Sequence, residues 1–248
     1  VESKRARLLT IFLTPFIPCT ARLAAMTFVA AAVFGQNALF VSWILIAINI
    51  TVLGLSGIIV SKFFLKDEPV PFIMELPLYH KPNFKTILLA VWSRLFAFIK
   101  KAGTVILAFS VLMWIMSNIP SGNIESSMLS WLGKILEPVG SIIGLNWKMM
   151  VALLSSIIAK ENAVASLSVL YNAGEEGLMN VLPDVISHSS AISFLIILML
   201  FIPCMPTITV MRQELGNWRW FFASFFNMLF ASFLLSFLAY RLAIFLGI

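Results

Sequence analysis

The chain has 248 residues, of which 60% are hydrophobic and only 11% are charged, with a net charge of +6. Soluble domains carry about a quarter of their residues as charged side chains, and a core of this size cannot bury so much apolar surface. The composition therefore excludes an ordinary soluble domain, and the long unbroken apolar runs indicate membrane helices rather than a barrel. Because the basic residues lie mostly between apolar runs, the positive charge indicates cytoplasmic loops and not nucleic-acid binding.

The first two apolar segments predict a hairpin that crosses the membrane and returns. The first runs from Leu8 to Phe34 and is interrupted by prolines and an arginine, whereas the second is a clean span from Ala38 to about Val60. Basic residues at the start of the chain and across 62–101 put both ends of the hairpin on the cytoplasmic side. We expect residues 1–61 to form this first, broken membrane hairpin.

The second predicted region, residues 62–101, is a cytoplasmic loop followed by an interfacial helix. Turn-rich segments lie around Pro69 and Pro77. Apolar residues then recur at helical spacing between Ile87 and Phe98, and basic residues flank that face. This pattern is typical of an amphipathic helix that lies in the plane of the membrane surface.

The third predicted region, residues 102–248, holds the remaining membrane helices. Its first element is a span (102–116) that is short unless it includes residues of the preceding helix. The others are a polar connection with a small amphipathic piece (117–146), an apolar segment (147–170), an acidic loop (172–188), a span that stops at Pro203, and a Phe-rich closing helix (217–247). Gly216 marks a tight loop before the last helix, and Trp218 is a typical interfacial anchor. The predicted fold class is an all-α, polytopic membrane protein with interrupted helices and one interfacial amphipathic helix.

One tetrapeptide, Phe-Ile-Pro-Cys, occurs twice, at positions 16–19 and 201–204. Each copy interrupts an apolar segment and is followed within a few residues by a threonine and an arginine, Arg22 and Arg212. Irregular backbone at membrane depth is tolerated only where it is packed in protein or lines a wet cavity. Paired interrupted helices therefore point to a transporter binding site.

The chemistry of these two breaks suits a metal cation. A proline in a helix displaces the carbonyl four residues earlier, so Pro18 and Pro203 would free the carbonyls of Thr14 and Met199. Such carbonyls carry partial negative charge, and a neighbouring thiol adds a soft ligand that favours late first-row metals over hard cations. The alternative is that both thiols serve only for packing. The predicted ligands in these breaks are Cys19 and Cys204.

Three polar residues, Lys160, Glu161 and Asn162, lie in the middle of the apolar segment 147–170. Ionisable side chains at membrane depth are costly and mark functional sites. If the segment spans the membrane, these residues must face the interior, pair with one another or lie at a second break. Glu161 is therefore a candidate metal ligand, with Lys160 as its counter-charge. The alternative is that these residues end a shorter helix at the membrane surface.

Several stretches together resemble the C-terminal membrane region of the FeoB family of ferrous-iron transporters. The resemblance runs along nearly the whole chain. It rests on the break Pro18–Arg22, the loop Met74–Tyr79, the junction Lys100–Thr104, the segment Ala159–Glu161, and Pro203-Cys204 followed by Glu214, Gly216 and Trp218.

This resemblance implies uptake of Fe(II), as the transported substrate, by a multi-pass protein of the bacterial inner membrane. It also implies an N-terminal cytoplasmic GTPase domain and a small partner protein, FeoA. No phosphate-binding loop motif occurs here, so GTP would act only through a separate domain and the chain itself is not expected to be an enzyme. We expect the chain to be part of a longer or split protein; whether copies of it associate is left open. Its gating or structural residues would be Pro18, Pro203, Arg22, Lys160 and Glu214, beside the ligands Cys19, Cys204 and Glu161.

Three other functions remain open from the residues alone. A nucleoside permease would also use polar broken helices, but it would favour aromatic and amide side chains around the breaks. A non-transporting assembly protein would use the breaks only for close helix packing. A membrane enzyme with a cysteine nucleophile would need a base, and no histidine lies in an apolar segment.

Overall fold

The computed structural model describes residues 4–64, 82–119 and 127–247, and within them the chain forms helices and no strands. The predicted turns near Pro69 and Pro77, the loop Met74–Tyr79 and His80 lie outside the described residues. The helices are α1 (Lys4–Leu13), α2 (Thr20–Phe34), α3 (Ala38–Phe64), α4 (Phe84–Asn118), α5 (Met128–Ile142), α6 (Trp147–Ser155), α7 (Asn162–Leu170), α8 (Glu175–Val185), α9 (His188–Leu200), α10 (Met205–Leu215) and α11 (Trp218–Phe245).

Three apolar stretches of the described chain are long enough to cross a membrane: Arg7–Lys62, His188–Leu215 and Trp218–Phe245. The first folds back on itself at the 3-10 turn Gly35–Asn37, so that α2 packs against α3 as the predicted hairpin requires. At 1.5 Å per residue, α3 and α11 each extend about 40 Å, more than the roughly 30 Å hydrocarbon layer. The predicted all-α polytopic membrane fold is confirmed.

Helix α9 forms the centre of the core. Every side chain from Ser193 to Pro203 is buried, and α9 packs against α2, α3 and α11. Small hydroxyl residues allow the close approach of α11, as is common between membrane helices. Ser193 Oγ donates to the carbonyl of Ile143 (2.5 Å), and Ser236 Oγ donates to the carbonyl of Ser193 (3.0 Å).

Helices α4 and α8 differ from the sequence prediction. The interfacial helix and the following span form one continuous helix, α4, because Gly103 weakens a helix without breaking it and no proline intervenes. The predicted acidic loop 172–188 contains α8. Leu178 and Leu182, one helical turn apart, are fully buried, and this apolar pair anchors α8 despite its polar composition.

Candidate functional site

Both Pro-Cys tetrapeptides interrupt helices, as predicted. In the first, α1 ends at Leu13, a 3-10 turn follows, and α2 begins at Thr20; in the second, α9 ends at Leu200 and α10 begins at Met205. The cysteine of each copy is the N-cap residue of the following helix, with an extended backbone and no hydrogen bond from its side chain to the cap. Each thiol therefore stands at the N-terminus of a helix, next to backbone amides that lack helical partners.

The two broken helices lie antiparallel, with their breaks at the same level. Helix α1, before the first break, contacts α10, which follows the second break, and α2 contacts α9. An ion pair between Arg7 near the start of α1 and Glu214 near the end of α10 holds one pair of ends together. The N-termini of α2 and α10 therefore approach the break level from opposite sides.

A third break lies between α6 and α7. These two helices form a hairpin that enters and leaves the core on one side. Each has nine residues, about 14 Å, too short to cross the bilayer. The open end is closed by a hydrogen bond from Asn146 Nδ2 to Tyr171 Oη (3.0 Å). The tip, residues 156–161, meets the second Pro-Cys break, where the N–H of Met205 donates to the carbonyl of Ile157 (2.9 Å).

Residues of the three breaks line a partly open cavity of about 250 Å³, at which Cys19 is exposed and Cys204 is half-buried. The cavity brings together both cysteines, both prolines of the repeat and two basic side chains. In the sequence, the two Pro-Cys pairs lie almost the whole chain apart. The residues that line it are Thr14, Pro15, Ile17, Pro18, Cys19, Arg22, Lys160, Pro203, Cys204 and Thr207.

The two basic side chains hold the backbone carbonyls that the breaks expose. Arg22, 3% exposed, donates from Nη1 to the carbonyl of Pro15 (2.8 Å) and from Nη2 to that of Phe201 (3.0 Å), so it joins the first break to the second. Lys160 Nζ, 2% exposed, donates to the carbonyl of Ile202 (2.8 Å). These contacts satisfy oxygens that would otherwise be buried without a partner.

The prediction that Pro18 frees the carbonyl of Thr14 is wrong. This oxygen accepts a hydrogen bond from the N–H of Ile17 (3.1 Å), because the chain tightens into a 3-10 turn before the proline. The freed oxygen in the first break is that of Pro15.

The lining of the cavity is electropositive. It contains two buried cations and the N-terminal ends of two helices, and no acidic residue is among the lining residues. In the described part of the chain, no group of three or more His, Cys, Asp or Glu side chains lies close enough to hold a metal ion. The soft donors at the cavity are the two thiols, and Cys204 Sγ also lies 3.2 Å from Thr207 Oγ1. A metal cation would therefore depend on thiolates for compensation of its charge.

Two of the candidate residues lie away from the cavity. Glu161 is exposed and precedes α7 as its N-cap residue, without a capping hydrogen bond from its side chain. Glu214 is exposed and pairs with Arg7. Gly216 takes the left-handed conformation (φ +61°) that ends α10.

Sequence reasoning missed the hairpin of α6 and α7 and the hydroxyl of Thr207 at the cavity. Outside the polar triplet, residues 147–170 are mostly apolar and Lys148 is the other charged residue, a composition that is also typical of a single span. Asn146 is a typical helix cap whose side chain accepts from the N–H of Met149 (2.9 Å), but it indicates only where α6 begins and not the break after Ser155.

Comparisons with known proteins match the chain in two parts. Residues 38–94 match the family model described as the ferrous iron transport protein B C terminus, and residues 99–218 match the gate family model, described as nucleoside recognition. No solved structure matches the chain.

Curated relatives cover nearly all of the chain. The Fe(2+) transporter FeoB of Staphylococcus aureus strain MSSA476 is 32% identical over 250 residues, which is 98% of this chain and 37% of the relative. That of Methanocaldococcus jannaschii is 34% identical over 244 residues, 93% of this chain and 36% of the relative. A fusion of Fe(2+) transport protein A with FeoB in Porphyromonas gingivalis is 27% identical over 302 residues, 98% of this chain and 35% of the relative.

The chain thus spans little more than a third of the length of these relatives. The two family models follow one another along the chain, and the relatives align with it from one end to the other. Together with the broken membrane helices, these matches establish that the chain belongs to the FeoB family and corresponds to its C-terminal membrane region.

Proposed function

We propose that this chain forms the conducting membrane part of a ferrous-iron uptake transporter, in which Fe(II) passes the cavity between the broken helices. The observation that carries the proposal is the convergence of Cys19 and Cys204 on a single cavity. The names of the curated relatives support iron as the substrate class.

The donor set supports transient binding rather than a permanent metal site. Two thiolates would supply soft, charged ligands, and carbonyl oxygens and water would complete the coordination of Fe(II). A conducting site must bind an ion strongly enough for it to enter but weakly enough for it to leave. The positive charges of Arg22 and Lys160 in the lining weaken cation binding and so favour release of the ion.

The test is uptake of radioactive Fe(II) in cells whose ferrous-iron uptake depends on this chain. Replacement of both thiols, Cys19→Ser and Cys204→Ser, should reduce uptake at least about tenfold, because serine is a poor ligand for late first-row metals. The matched control is Thr27→Ser on an exposed face of α2, outside the cavity lining. Undiminished uptake by the double variant, at normal expression, would show that the thiols are packing residues.

The third proposed ligand, Glu161, needs a separate experiment because its side chain is exposed. We propose that it binds the ion at the hairpin tip before or after the cavity. In that role, Glu161→Gln should raise the iron concentration needed for half-maximal uptake without abolishing transport. An unchanged concentration dependence would remove Glu161 from the path.

The remaining parts of the proposed transporter lie outside this chain. A GTPase domain would control opening through the basic segment 62–101, and a small FeoA-like protein would assist, a role that the FeoA–FeoB fusion among the relatives supports. The location would be the bacterial inner membrane, with several passes. Addition of GTP to inside-out vesicles that carry the full-length protein should change the rate of iron flux. A rate insensitive to GTP would refute the proposal that the GTPase domain controls opening.

A nucleoside substrate is the second candidate, because the matching gate model is described as nucleoside recognition. The lining argues against it, since no aromatic or amide side chain is among the residues that line the cavity. Excess unlabelled uridine should therefore leave iron uptake unchanged. Competition by uridine would favour the nucleoside alternative.

A further inference from the structure

Lys160 is held in an unusual environment at the tip of the hairpin formed by α6 and α7. Its ammonium group donates to the carbonyl of Ile202 and lies 5.7 Å from the centre of the Phe201 ring. In the part of the chain that the structure describes, it pairs with no carboxylate. One carbonyl and one ring compensate only part of the cost of burying this charge.

The oxygen that Lys160 occupies lies two residues before Cys204, in the same extended segment. Lys160 and Cys204 line the same cavity, so an ion bound to the thiol of Cys204 would lie in the space that the ammonium group faces. The ammonium therefore stands where a cation bound at the second break would bind.

We propose that Lys160 is an internal substitute for the transported cation: its ammonium holds the Ile202 carbonyl until a metal ion binds the thiols and displaces it. This inference rests on the proposed function and adds a mechanism to it. A divalent ion and an ammonium group within a few ångströms repel each other strongly in a low-dielectric interior, so they do not share one carbonyl. Metal binding and the Lys160–Ile202 contact are then mutually exclusive.

The position of Lys160 makes its displacement a movement of the hairpin tip. The open end of the hairpin is fixed by the Asn146–Tyr171 hydrogen bond. The tip is tied to the second break by the Lys160–Ile202 contact and by the bond from the N–H of Met205 to Ile157. Loss of the Lys160–Ile202 contact would leave the tip held to the break by the Met205–Ile157 bond alone, so the tip would become more mobile.

Arg22 does not share this role. Its guanidinium bonds one carbonyl in each break, Pro15 and Phe201, and so stabilises the joint position of the two broken helices. Release of Arg22 would require both contacts to open together, whereas Lys160 has a single carbonyl to release.

The test uses Co(II) as the probe, titrated anaerobically into the purified full-length protein, with binding followed by thiolate-to-metal charge-transfer absorption. Lys160→Gln keeps a donor for the Ile202 carbonyl but removes the competing charge, so Co(II) should bind at least about tenfold more tightly than to the wild type. Lys160→Met, which removes the donor as well, should also bind Co(II) more tightly than the wild type. Lys62→Gln, which changes an exposed lysine near the end of α3 outside the cavity lining, is the control and should bind like the wild type.

If Lys160→Gln binds Co(II) no more tightly than the wild type while thiolate absorption is retained, the proposal that the metal ion displaces Lys160 is refuted. Absence of thiolate absorption in the wild type would instead overturn the ligand set of the proposed function, and this inference with it. A second measurement needs no variant: Co(II) should increase amide hydrogen exchange in residues 156–161 of the wild type. Unchanged or slower exchange there, at saturating Co(II), would also overturn the proposal.

Discussion

Removal of Arg22 should destabilise the fold more than removal of any exposed arginine, because one guanidinium satisfies two buried carbonyls. In Arg22→Met the oxygens of Pro15 and Phe201 lose their donors at distances of 2.8 and 3.0 Å. A hydrogen bond that involves a charged group contributes about 1.5–3 kcal/mol, so the two together contribute about 3–6 kcal/mol. Relief of the buried charge offsets part of this loss, and we expect a net destabilisation of about 3 kcal/mol.

Thermal unfolding of the detergent-purified protein, followed by tryptophan fluorescence, measures this loss. For a chain of this size, 1 kcal/mol corresponds to about 2–4 °C, so Arg22→Met should lower Tm by roughly 6–12 °C. Arg22→Lys should lose about half as much, since a single ammonium group can replace one of the two contacts. The control is Arg241→Met, which removes an exposed arginine from α11 and should shift Tm by less than about 2 °C. A shift below 2 °C for Arg22→Met would refute the conclusion that this side chain stabilises the two breaks.

Three further changes test other parts of the structure by the same unfolding assay. Gly144→Ala should cost about 3 kcal/mol, because its Cβ would lie 2.1 Å from the Tyr240 ring at a backbone φ of +74°; a Tm within 2 °C of the wild type would contradict this packing. Asn49→Leu should raise Tm by a few degrees, because neither polar atom of this buried amide has a partner among the described residues; a lower Tm would indicate a hidden partner. A double-mutant cycle between Arg7 and Glu214 should give a coupling below about 1 kcal/mol that declines with salt, since both side chains are about half exposed; a larger, salt-independent coupling would count against a surface pair.

The spans and the two helix breaks were predictable because their signals are local. A proline in the middle of a long apolar run kinks or breaks a helix, so Pro18 and Pro203 indicated the positions of the breaks. The closing helix was equally clear, since Asn217 caps it by accepting from the N–H of Arg219 (2.9 Å) and neither proline nor glycine interrupts the segment that follows.

The arrangement of the site was not predictable, because it depends on contacts between distant segments. Nothing in the spacing of Cys19 and Cys204 indicates that the antiparallel packing of their helices places both thiols at one cavity. The length of residues 147–170 suits one span as well as two short arms, so the hairpin could not be distinguished from a crossing helix. The partners of Arg22 and Lys160 are backbone oxygens, which carry no sequence signature.

The burial of α9 has a consequence for how the protein responds to the lipid around it. Helices α3 and α11 expose large apolar side chains such as Phe40 and Phe230, whereas residues 193–203 expose none. A thicker or thinner bilayer therefore acts on the outer helices, which can adjust their tilt at a cost of fractions of a kcal/mol per ångström of mismatch. The second Pro-Cys break, which directly follows α9, meets the bilayer only indirectly at α9, through the packing of α3 and α11 against that helix. We expect iron flux to vary little between vesicles of different acyl-chain length.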